Sequence, residues 1–148
     1  MAYFLIILAI LMADQVSKRI VEKKFAIGER IPLIKNKLYI EHIKNKGAAL
    51  GLMEKQPRHL LFAIVFSLCN IIIMFFRLQK RPHTKGYKVA LSFILGGALG
   101  NIADRIFKKE VTDFIRIKSK HLPIFNLADL FLFVGCMIFF IRTCKDDQ

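Results

Sequence analysis

The chain has 148 residues, enough for one domain; 55% of them are hydrophobic, yet the formal net charge is +13. That mixture excludes an ordinary soluble domain unless the two characters are segregated along the chain. They are: long apolar runs alternate with lysine-rich stretches, the distribution of a polytopic membrane protein. Because Lys and Arg lie between apolar runs rather than along one helix face, their natural counter-charge is anionic lipid headgroups, not nucleic acid.

In chain order, the first apolar run is Ala2 to Ala13. Alone it is short for a span and has the look of a signal-peptide core. However, no Lys or Arg precedes it, no A-x-A cleavage site follows, and a helical pattern continues through Val16 and Ile20. A helix over 2–21 reaches about 30 Å, enough to cross a bilayer, and is predicted as a retained span. In the connection 22–58, IPLIKNKLYIEHI reads as two short strands joined near Lys35-Asn36, and Asn45-Lys46-Gly47 as a turn. A second span is predicted over 59–77, broken only by Ser67 and Asn70. A third covers 88–106, where Gly96 and Gly100 form a small-xxx-small pair suited to close helix approach. The fourth covers 126–143. Loops 78–88 (basic) and 107–125 carry no predicted regular structure. The predicted fold class is therefore membrane all-α, a bundle of four transmembrane helices with a small β hairpin or sheet on one membrane face, in one domain over 1–148.

With four spans, both termini share a side with loop 78–88. By the positive-inside rule, raw charge counting would place the termini outside. The terminal side carries Arg77, Lys80, Arg81, Lys85, Lys88, Arg142 and Lys145, and the other 17 of the 24 basic residues lie opposite.

Ionisable groups near membrane depth cost several kcal/mol each, which makes them functional candidates by default. Here Asp14 follows the first run; Asn101, Asp104 and Arg105 end the third; Asp113 lies in the loop after it; and Asn126 and Asp129 begin the fourth. The topology gathers all of them on the face of the long connection. Each also has a plain reading: an i,i+4 pair for Asp14 and Lys18, an interfacial salt bridge for Asp104 and Arg105, an N-cap for Asn126, a solvated loop for Asp113. Four such coincidences on one membrane face are harder to accept than one site. No nucleophile–histidine motif or P-loop accompanies the cluster; metal binding by the carboxylates stays open, though a hard-cation site usually has more closely spaced oxygen ligands; and Cys69, Cys136 and Cys144 have no metal-ligand spacing and are assigned no disulfide. Two carboxylates close together in a low-dielectric site share a proton. The ionised one can then activate water while the protonated one holds the carbonyl under attack, which is aspartyl-type hydrolysis. A proton- or ion-conducting bundle would instead repeat acids through the depth of its spans, and a lipid-binding adaptor would leave the aspartates idle.

Five blocks, ADQVSK (13–18), NKGAALGL (45–52), GGALGNIADR (96–105), VTDFI (111–115) and FNLADLFLFVG (125–135), closely resemble in order and spacing those of the lipoprotein signal peptidases, the signal peptidase II family. The resemblance implies an aspartyl endopeptidase of the bacterial cytoplasmic (inner) membrane, with cytoplasmic termini and its site and sheet near the outer face. It implies no cofactor or metal. Its substrate would be a diacylglyceryl-modified prolipoprotein cut before the lipidated cysteine, its other partner the phospholipid bilayer, and it would work as a monomer. By motif the catalytic pair is Asp113 and Asp129, supported by Asp14, Asn45, Gly47, Asn101, Asp104, Arg105 and Asn126. Gly47 and Gly100 are expected to let the substrate chain approach closely. Leu50 and Ser17 depart from the common pattern, away from the pair.

Overall fold

Eleven residues of one helix are buried: Ala90, Leu91, Ser92, Ile94, Leu95, Gly96, Gly97, Gly100, Asn101, Ile102 and Asp104, in the segment Lys85–Phe107. This helix is the axis on which the other helices pack, in a computed structural model that describes residues 1–47, 55–119 and 122–146. In chain order the elements are α1 (Ala2–Lys24), β1 (Arg30–Ile34), β2 (Leu38–Asn45), α2 (Pro57–Gln79), α3 (Lys85–Phe107), β3 (Val111–Ile117) and α4 (Leu127–Asp146). Leu50, in the second block, lies outside the described residues.

The close approach to α3 depends on glycine. A Cβ on Gly96 would stand 2.8 Å from Ile10 Cβ and Cγ2 of α1, one on Gly97 would collide with the Ala128 carbonyl of α4, and one on Gly100 with the Asp14 carboxylate. Gly135 returns the relation from α4, where a Cβ would lie 2.8 Å from the Ala90 carbonyl. Lipid offers no hydrophobic drive between helices, so backbone proximity and dispersion hold them together. The expectation for Gly100 needs correcting: its missing side chain makes room for Asp14 and Ala128, not for a substrate.

The outward faces of α2 and α4 remain apolar, with Phe62, Phe66, Phe76, Phe133 and Phe140 more than half exposed. In water such faces would aggregate, whereas hydrocarbon is their natural surrounding. Three helices, α2, α3 and α4, are long and apolar enough to cross a membrane. Although α1, at 23 residues, is as long as α2 and α3 and longer than α4, it carries Asp14, Lys18 and Arg19 within its length. Asp14 and Lys18 are fully buried against the other helices.

The strands form one antiparallel sheet in the order β1-β2-β3. The β1–β2 hairpin turns where the sequence places it: Asn36 adopts φ 60°, and Lys37 N donates to the Ile34 carbonyl at 3.0 Å. The third strand was not expected, because loop 107–125 shows no clean alternation. Val111, Thr112, Asp113 and Phe114 are all buried. A strand covered on both faces, with Thr and Asp among its buried residues, lacks the polar–apolar period that identifies a half-exposed strand. Beyond β3 the chain doubles back. Phe125 N donates to the Ile115 carbonyl at 3.1 Å and the Phe125 carbonyl accepts from Ile115 N at 2.7 Å, so α4 starts directly beside Asp113.

Candidate active site

The site begins with the start of α4. Asn126 precedes the helix, its Oδ1 accepts from Asp129 N at 3.0 Å, and Asp129 Oδ2 accepts from Asn126 N at 3.2 Å. This reciprocal cap satisfies helix-start amides that would otherwise be orphaned. The N-cap reading of Asn126 is thus correct, and it also orients the site. With Oδ1 committed to the cap, the Asn126 amide must aim its NH2 elsewhere, and Nδ2 donates to Asp113 Oδ1 at 2.7 Å and to Asn101 Oδ1 at 3.1 Å.

The same logic fixes two further asparagines. Asn101 Oδ1 is occupied by donors from Asn126 and Lys18 (2.9 Å), so Asn101 Nδ2 donates to Asp129 Oδ1 at 2.7 Å. Asn45 Oδ1 accepts from Gly47 N at 3.0 Å, and Asn45 Nδ2 donates to Asp113 Oδ2 at 2.8 Å. Three amides, each with its carbonyl already satisfied, therefore present their NH2 groups to two carboxylates. Asp113 comes from the sheet and Asp129 from α4. Both line one cavity of about 250 Å³ with Asn45, Asn101, Arg105 and Phe125. Burial pushes the Asp113 carboxyl up to about 6; the negative charge of Asp129 adds to the rise, while the amides of Asn45 and Asn126 and the positive charge of Lys18 oppose it.

Asp14 and Asp104 are brought to the cluster but do not line this cavity. Lys18 lies between them, fully buried, with Nζ 2.7 Å from Asp14 Oδ2 and 2.8 Å from Asp104 Oδ2. Its third contact is Asn101, so each ammonium proton has a partner. Asp14 also reaches α4, where Oδ1 accepts from Ala128 N at 3.0 Å, a carboxylate at the positive end of the helix dipole. Arg105 ties the second block to α3, with Nη2 donating to the Gly47 carbonyl at 2.9 Å and Nη1 to the Asn101 carbonyl at 3.3 Å. Among the described residues no ion pair joins Asp104 to Arg105; the partners of Asp104 are Lys18 and Lys108. A second groove of about 410 Å³ opens from α2, α3 and α4 onto Asp129, with Ile64, Leu68, Ile71 and Leu132 among its apolar walls.

Sequence reasoning missed Lys18 as a site member. Lys18 entered only through the plain reading of an i,i+4 pair with Asp14 at a helix end, although a lysine in a predicted span was itself a signal. Glu22, Lys44, Thr112 and Lys108, which form a hydrogen-bonded group beside the site, were also missed.

Fold and site together define a helical membrane protein with a buried, carboxylate-lined polar cavity at one end of its bundle. Comparison with known proteins makes the class specific. The family model described as signal peptidase (SPase) II matches residues 6–145. The lipoprotein signal peptidase of Halalkalibacterium halodurans is 41% identical over 150 residues, covering 100% of this chain and 95% of that protein. That of Anoxybacillus flavithermus is 38% identical over 150 residues, covering 100% and 88%. A bacterial membrane enzyme solved by the in meso method at 2.3 Å resolution superposes with a TM-score of 0.87 at 30% identity, covering 99% of this chain and 90% of that one. A second, at 1.9 Å resolution, gives 0.83 at 30% identity with 98% and 94% covered. The chain belongs to the signal peptidase II family, the membrane peptidases of lipoprotein processing.

Proposed function

We propose that the chain is an aspartyl endopeptidase that cuts diacylglyceryl-modified prolipoproteins before the lipidated cysteine, with Asp113 and Asp129 as its catalytic pair. The observation that carries this reading is the shared cavity, in which each carboxylate is held by asparagine amides whose orientation is fixed from behind. Two carboxyls that line one cavity, with the charge of Asp129 acting on Asp113, hold one proton between them, and that proton belongs to the pair. The ionised member takes a proton from water as its oxygen attacks the scissile carbonyl carbon. The protonated member hydrogen-bonds the carbonyl oxygen and stabilises the charge that develops there. Collapse of the tetrahedral intermediate breaks the C–N bond, and the leaving amine is protonated from the pair. The products are a signal peptide with a new carboxylate and a lipidated cysteine with a free amine.

The surroundings suit this substrate. The apolar groove between α2, α3 and α4 opens onto Asp129, so an apolar signal helix in the bilayer can deliver its end to the pair. In this reading α1 is a fourth span, with Asp14 and Lys18 turned inward and Lys18 meeting Asp104 and Asn101. The termini are cytoplasmic, and the sheet and site sit near the outer face, where a diacylated cysteine is anchored. One chain supplies every residue of the site, so a monomer suffices.

The test is incubation of purified protein with a diacylglyceryl-modified prolipoprotein and mass spectrometry of the products. The expected products are an intact signal peptide and a chain beginning at the lipidated cysteine. Cleavage at another bond, or equal cleavage of the unlipidated precursor, contradicts the reading.

A further inference from the structure

Glu22 stands in the last turn of α1, where the helix dipole favours cations such as its neighbours Lys23 and Lys24 and disfavours a carboxylate. Local helix chemistry does not account for it; its tertiary partners do. Glu22 Oε1 accepts from Lys44 Nζ of β2 at 2.8 Å, from Lys108 Nζ at the C-cap of α3 at 2.9 Å, and from Thr112 Oγ1 of β3 at 2.5 Å. Lys44 and Thr112 are paired across the β2–β3 ladder and bond each other at 3.0 Å. The next residues along these strands are Asn45 and Asp113. Successive strand residues point to opposite faces, so Glu22 grips the back of the segment whose front presents Asn45 and Asp113. Lys108 carries a second link: its Nζ lies 3.0 Å from Asp104 Oδ1, and Asp104 meets Lys18, the donor that turns Asn101 toward Asp129.

We propose that Glu22 is a positioning residue for peptide cleavage: it locks the β2–β3 ladder and the end of α3 to α1, and so sets where Asp113 stands relative to Asp129. The proposal rests on the aspartyl reading above. Asp113 enters from the sheet and Asp129 from a helix, so their separation depends on how the sheet is docked on the bundle. A partly exposed ion pair contributes little to stability. A displacement of about 1 Å at reacting groups, in contrast, can cost about a hundredfold in rate.

In steady-state cleavage well below the melting temperature, Glu22→Ala lowers kcat about tenfold and leaves KM within about twofold. Thr112→Val lowers kcat in the same way, and Thr112→Ser, which keeps the hydroxyl, retains it. The control is Glu41→Gln, which removes a different sheet carboxylate, paired with Arg30 at 3.6 Å and Arg116 at 3.2 Å, and keeps wild-type kcat. Wild-type kcat in Glu22→Ala overturns the proposal, as do equal kcat values for Thr112→Val and Thr112→Ser. A loss in Glu41→Gln equal to that in Glu22→Ala also overturns it, because it marks general loosening of the sheet. Should Glu22→Ala fail to fold, the two Thr112 variants decide. Asp113→Asn, run in parallel, separates the claims. If it cleaves, the aspartyl reading and the role of Glu22 fall together; if it is inactive beside a wild-type Glu22→Ala, the role of Glu22 falls alone.

Discussion

Replacing Lys18 by Met keeps most of the side-chain volume and removes one buried positive charge from between two carboxylates. The consequences for the two are unequal. Asp104 keeps Lys108 Nζ at 3.0 Å, a partner 30% exposed and open to solvent. Asp14 keeps only hydrogen bonds, from Ala128 N at 3.0 Å and Gln15 Nε2 at 3.3 Å, and no cation among the described residues. Breaking a buried pair by removing one partner costs about 3–5 kcal/mol. For a chain of this size that lowers the melting temperature by about 10 °C. Adding Asp14→Asn to Lys18→Met removes the stranded charge and recovers about 2 kcal/mol, read as a coupling energy in a double-mutant cycle. The assay is thermal unfolding of the purified variants in detergent. A Lys18→Met variant that melts within about 2 °C of wild type refutes the argument. So does a double variant no more stable than the single one.

Linkage gives a second expectation. Asp113 stands at about 6 against an ordinary 3.8, so its contribution to stability is full below 3.8 and is lost as pH rises through 6. Detergent melts from pH 4 to 7 should show wild type losing about 3 kcal/mol relative to Asp113→Asn, and parallel curves contradict the shift. Gly100→Leu drives a side chain into Asp14 and Ala128 and should destabilise the bundle by about 1–3 kcal/mol or more; wild-type melting would mean that the helices part without cost. Reporter fusions after Arg81 should signal cytoplasm and fusions in the 34–37 turn the outer side. An outer signal after Arg81 would favour the raw charge count over the proposed orientation.

The apolar runs of α2, α3 and α4 were long and distinct, so these helices were legible; α1 was legible because its helical pattern continues past a short run, and so was the β1–β2 hairpin, whose Lys35-Asn36 junction is the turn. β3 was not, because a strand buried on both faces has no period to read. The site was legible as a set of residue types but not as a mechanism of orientation. Asn126 reads as an N-cap in sequence, and only its geometry shows that capping α4 turns its amide toward Asp113. Lys18 was hidden for a related reason. An i,i+4 acid–base pair looks the same in sequence whether it is solvated or fully buried, and burial is set by Gly100, eighty-odd residues away, leaving space for Asp14.

Cleavage of a diacylglyceryl-modified prolipoprotein by Asp113→Asn and Asp129→Asn tests the proposed pair most directly. Asn is nearly isosteric but neither takes nor delivers the proton. Each single variant should be folded by circular dichroism, melt cooperatively in detergent and show no cleavage. The double variant should be no worse than either one, because the two carboxyls act as a unit. Near-normal turnover by either single variant would contradict the account, and loss confined to Asp14 or Asp104 variants would move the catalytic pair to the lysine-bridged carboxylates instead.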